Sequence, residues 1–133
     1  MSSHDLDTAL AELPAMRVAP EQDEADAMSG MRILTAHNHC MVGLVHFSGN
    51  TPWERHPEDE LLHVLRGEVE VQILPERGAG DWQRVRAGSI CVVPRGLWHR
   101  QRASAPAALL FVTSEQGNEA SRAEDPRPHA SST

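Results

Sequence analysis

The sequence predicts an all-β domain, a sandwich or barrel of short strands. Three observations predict it. Apolar runs of four to nine residues recur between Gly and Pro turns from residue 31 to residue 113. One of them alternates cleanly, with Val69, Val71 and Ile73 set against Glu68, Glu70 and Gln72. No stretch within that span carries convincing helical spacing.

Taken in order, residues 1–30 form an acidic, weakly patterned segment. Leu6, Leu10 and Leu13 fall at spacings of four and three, which permits a short amphipathic helix from about Asp5 to Glu12, ended by Pro14. PEQDEADAMSG reads as a solvated connector. The barrel proper is expected over 31–113. Its strands are MRILT (31–35), CMVGLVHFS (40–48), LLHVL (61–65), the alternating run from Glu68 to Ile73, WQRVR (82–86), ICVV (90–93) and AALLFVT (107–113). Residues 114–133 are polar, contain proline and lack periodicity, so a disordered tail is expected there.

Composition narrows the function classes. The chain has 133 residues, enough for one domain with a core that needs no disulfides. Its 19 acidic residues outnumber 12 basic ones, for a net charge of −7, which argues against a nucleic-acid surface. All basic residues are arginine and there is no tyrosine, so neither a lysine Schiff base nor a tyrosine acid is available. No apolar run approaches the roughly 18 residues of a membrane helix, and the N-terminus lacks the pattern of a signal peptide. Cys40 and Cys91 each stand alone in apolar runs and read as buried thiols, with a disulfide or reactive thiol as the alternative. A reducing cytoplasm is the expected location.

The chemistry concentrates in Thr51 to Gly67, TPWERHPEDELLHVLRG. Glu54, His56 and Glu60 are evenly spaced, and on an extended strand they would share one face. Histidine with carboxylate on one face suits a divalent first-row metal, although a solvated polar strand face would read the same way. His99 can join them only if the fold brings it back, as a barrel does.

Other histidines are weaker candidates. His37 and His39 form an HxH pair with no carboxylate at a useful distance, and read as a polar turn. His46 shares parity with Cys40, Val42 and Leu44 and could line the lumen. His63 has the opposite parity to Glu60, and His4 and His129 lie in the tails. Trp53 and Trp98, neighbours of Glu54 and His99, could shape a ligand pocket or simply cover a barrel end or a dimer face. Arg95 could reach an anionic ligand or be a solvated turn residue.

Two spacings then resemble the cupin superfamily. Gly88, five residues, Pro94, one residue, Gly96, two residues and His99 reproduce its second motif. Glu60, six residues and Gly67 match the end of its first, with His56 four before Glu60. The resemblance spans about residues 31–113, to a small single-domain cupin. It implies a jelly-roll barrel, or double-stranded β-helix, with metal ligands His56, Glu60 and His99. Two departures stand out: Glu54 occupies the family's first histidine position, and Ala103 the place of a frequent asparagine. Glu54 could be a fourth ligand, a general base, or turned outward. The resemblance implies Fe, Mn, Ni or Zn, a small-molecule substrate or ligand, and a homodimer. Its activity would be that of a metal-dependent oxygenase, dioxygenase-like, or an isomerase. A non-catalytic cupin that binds or senses a small ligand, its metal structural or absent, is the alternative.

Overall fold

The computed structural model describes residues 1–19 and 30–128. The chain runs α1 (Leu6–Ala11), β1 (Met16–Val18), β2 (Met31–His37), β3 (Cys40–Asn50), β4 (Trp53–Arg55) and β5 (Glu60–Arg66). It continues with β6 (Glu68–Ile73), β7 (Trp82–Arg86), β8 (Ile90–Val93), β9 (His99–Ser114) and β10 (Glu119–Ser121). Most of the solvated connector expected after Ala19 lies outside the described residues.

Among the described residues, ten strands form one sheet that curls into a jelly-roll barrel. The curl follows from β9, which belongs to both halves. Its C-terminal part lies between β3 and β5, with Leu109 opposite both Val45 and Val64. Its N-terminal part pairs with β6, and His99 stands opposite Glu54 of β4. The register with β3 shifts between Ala103 and Ala107, and there the strand leaves one half for the other.

The barrel interior is dry over most of its length. Phe47, Leu62, Val64, Val69, Val71, Val93, Leu109 and Phe111 form one buried cluster. The alternation read in β6 is this arrangement: Val69 and Val71 point in and Glu68 and Glu70 out. A second cluster forms where α1 lays Ala9 and Leu10, with Leu13 just beyond, on Leu44 and Ala108. Asp5 caps α1 by accepting from the Thr8 amide at 3.2 Å, and Glu12 pairs with Arg32 at 2.8 Å.

Two expectations change. β9 begins eight residues before the apolar run 107–113, because HRQRASAP is also strand. The tail expected from residue 114 onward is not featureless over 114–128: β10 pairs antiparallel with β4, Ala120 opposite Glu54.

Leu109 is fully buried between β3 and β5, so Leu109→Ala should destabilise the protein by about 2–5 kcal/mol in chemical denaturation. Loss under about 1 kcal/mol would contradict this packing.

Candidate metal centre

Four predicted residues meet at one end of the barrel, by a route other than a single strand face. β4 stops at Arg55, residues 56–59 bend, and Glu60 opens β5. Glu54 faces in beside His99, its strand partner, and Glu60 faces in with Leu62 and Val64. His56 sits in the bend. Its carbonyl accepts from the Gly96 amide at 2.9 Å, and Asp59 accepts from the Arg95 amide at 2.9 Å. Gly96 has φ +78, a left-handed conformation that glycine takes without strain, so the turn can dock on this bend and launch His99 inward.

His56, Glu60 and His99 are buried, while the Glu54 side chain is 42% exposed. His99 Nε2 lies 3.1 Å from Glu60 Oε1, and His56 Nε2 lies 3.4 Å from Glu60 Oε2 and 3.6 Å from Glu54 Oε2. The two imidazoles are 5.0 Å apart between ring centres. Ligand atoms of Glu54, His56 and His99 all lie within 4.8 Å of one another. Donors held about 2.1 Å from one ion are roughly 3.0–3.4 Å apart; the Glu60 contacts to His99 and His56 lie in that range, and the wider Glu54–His56–His99 set would contract around an ion. His56 Nε2 is also buried and makes no well-formed hydrogen bond, with only the Glu60 and Glu54 carboxylates near it at 3.4 and 3.6 Å.

Two residues join the cluster without having been predicted. Thr113 donates a short hydrogen bond to Glu60 Oε2. Its signal was available, since Thr113 is in phase with the inward-facing Leu109 and Phe111. Asn118, from the segment read as disordered, places Oδ1 2.8 Å from His56 Nδ1. No motif or periodicity announces it.

Other candidates lie elsewhere. His46 does not line the lumen: its Nδ1 is 2.9 Å from Leu13 O, on the outer face of β3 that α1 covers. Trp53 and Trp98 are buried with Leu74 behind the strands that carry Glu54 and His99. Arg100 stacks on Trp53 at 4.2 Å and Arg55 on Trp98 at 4.7 Å, so both indoles brace the site from outside. Trp98 also borders a depression of about 360 Å³ shared with Arg55, Gly96 and Arg127. Both cysteines are free and half-buried, and burial, then the Glu60 charge, pushes the Cys91 thiol up.

Comparison with known proteins agrees with this architecture. A family model described as cupin domain matches residues 43–113. This chain belongs to the cupin family. The cupin is 30% identical over 102 residues to the uncharacterized protein YdbB of Bacillus subtilis (strain 168), covering 76% of this chain and 84% of that one. Protein NMB1881 from Neisseria meningitidis superposes with a TM-score of 0.64 at 22% identity, over 86% of this chain and 100% of that one. Hydroquinone 1,2-dioxygenase PnpCD, in complex with Cd2+ and 4-hydroxybenzonitrile, gives a TM-score of 0.56 at 23% identity over 63% of each chain. The fold is therefore the double-stranded β-helix of cupins.

The charge state of the centre follows from its contacts. Burial raises the cost of the Glu60 charge, yet hydrogen bonds and charge from His56 and His99 outweigh it and hold the carboxyl at about 2. Burial likewise opposes a charge on His56, but Glu60, then Glu54 and Asn118, outweigh it and raise its pKa. Glu60 therefore contributes stability above its ordinary 4.5, lost as pH falls toward about 2. His56 contributes below its ordinary 6.5, and that part is lost as pH rises through its folded value. Metal-free protein should melt highest between pH 4.5 and 6.5, and His56→Gln should flatten the alkaline limb in a calorimetric pH series. An unchanged alkaline limb would contradict the pairing.

Proposed function

We propose that this cupin binds a divalent transition metal (Fe, Mn, Ni or Zn) and acts on a small organic molecule as a metal-dependent oxygenase or isomerase. The observation that carries the reading is the buried His56 Nε2, without a well-formed hydrogen bond, 3.4 and 3.6 Å from two carboxylates and beside His99. His56, His99 and Glu60 would be the ligands. Two carboxylates balance a divalent charge, and with neutral imidazoles the set suits a borderline to hard ion. When bound, such an ion supplies Lewis-acid or redox chemistry at its open positions. Glu54, half-exposed on the same face, would be a fourth ligand or move a proton at the entrance. Hydroquinone 1,2-dioxygenase PnpCD, of similar fold, forms a complex with Cd2+ and 4-hydroxybenzonitrile, which supports the small-molecule part of the reading. Free, half-buried thiols support a cytoplasmic setting. No helix among the described residues is long and apolar enough to cross a membrane.

A second reading, a non-catalytic small-ligand binder or sensor, draws support from Glu60 itself. His99 and Thr113 already satisfy that carboxylate without an ion. Metal analysis separates the two. Tag-free protein should carry or take up stoichiometric metal, lost in both His56→Ala and His99→Ala, and no uptake under any reconstitution would sink the site. With metal bound, oxygen uptake on a panel of diols, thiols and diketones would mark the oxygenase, and ligand binding without turnover the sensor.

Self-association is part of the proposal. Val92, Leu61, Val112 and Val42 stand in register across β8, β5, β9 and β3 on the outer face, with Val92 50% and Ile90 61% exposed. β8 pairs only with β5 among the described residues, so a second copy could continue the sheet about a two-fold axis. Light scattering should give a dimer that Val92→Asp converts to monomer; a monomeric wild type would refute the pairing.

A further inference from the structure

The contacts behind His56 single out a residue outside every motif of the chain. Asn118 Oδ1, 2.8 Å from His56 Nδ1, can only accept, so Nδ1 carries the proton. The amide is held in that orientation, because Asn118 Nδ2 donates to Ser114 O at 2.7 Å and a backbone carbonyl also only accepts. A neutral imidazole protonated at Nδ1 keeps its lone pair on Nε2. That is the buried nitrogen that faces Glu54 and Glu60.

On the metal-binding reading given above, we propose that Asn118 is a positioning residue of the metal centre, holding His56 as its Nδ1–H tautomer so that Nε2 is presented to the ion. His99 has a corresponding bond, Nδ1 to Leu97 O at 3.2 Å, but that acceptor is backbone within its own turn. At Nδ1, His99 is thus anchored within its own turn, and His56 by a side chain 62 residues away.

The C-terminal segment is built to deliver Asn118. Gly117 adopts φ +80, and a Cβ there would lie 3.1 Å from Pro57 Cγ, so glycine lets the chain turn this close to the His56 bend without strain. Beyond Asn118, β10 adds to β4, and Glu124 O accepts from Trp53 Nε1 at 3.2 Å. Arg127 then donates to Pro75 O at 2.9 Å and Gly78 O at 2.7 Å. These attachments hold the acceptor in place whether or not a metal is bound.

The test reads the tautomer and the affinity separately. Long-range proton–nitrogen correlation spectra of isotope-labelled, metal-free protein, above the His56 titration, should show a single Nδ1–H form. Asn118→Leu should shift it to Nε2–H or a mixture, and weaken Zn2+ binding about 10–100-fold in competition with a chromophoric chelator. Asn118→Asp, which keeps an acceptor for His56 but gives up the donor to Ser114 O, should retain the Nδ1–H form. Asn118→Ser, too short to reach, provides the same readout if the leucine variant does not fold. A folded variant without the acceptor that keeps the Nδ1–H form, or wild-type Zn2+ affinity, would overturn the role of Asn118. A wild type that shows the Nδ1–H form but binds no Zn2+ would overturn the metal reading and support the hold of Asn118 on His56.

Discussion

One carboxylate takes hydrogen bonds from both ends of the longest strand. His99 opens β9 and Thr113 lies one residue from its end, yet both contact Glu60. Fully extended, those fourteen steps would span ~46 Å. They meet on one side chain only because β9 passes from one half of the curled sheet to the other near Ala103 to Ala107 and wraps the barrel. Glu60 is therefore a closure of the fold as well as a candidate ligand. Geometry at the candidate metal centre and closure of the barrel are consequently not separable properties of this chain.

That arrangement sets two environments inside one lumen. Below the centre, Phe47, Val64 and Leu109 exclude water almost completely. At the centre, a buried carboxylate would cost several kcal/mol of lost hydration without compensation. Two imidazoles and a hydroxyl supply that compensation, and a divalent ion would supply more. Glu54 is the member that reaches toward solvent, so the accessible side of the cluster is also its most acidic side.

What could be read from the sequence divides along physical lines. Glu60 and His99 were legible from glycine and proline spacings that resemble the cupin motifs, whereas the single-strand face expected for Glu54, His56 and Glu60 is broken by the bend at 56–59. His46 had the right parity and the wrong face: β3 is covered by the barrel on one side and by α1 on the other, so hydropathy cannot tell inside from outside. The first half of β9 was not among the expected strands because its outer face carries Arg100 and Arg102, whose guanidinium groups stack on Trp53 and Trp82. Asn118 was illegible for a different reason. A three-residue strand in a polar segment is specified by the edge it joins, and that edge is remote in sequence.

The arginine stacks carry a consequence for observing this molecule. Trp53, Trp82 and Trp98 are its whole tryptophan complement, and each lies within 5.1 Å of a guanidinium behind the strands of the candidate site. With no tyrosine in the chain, ultraviolet emission comes from this one patch. The protein thus carries a native optical reporter whose three emitters sit on the reverse side of the residues where a ligand would act.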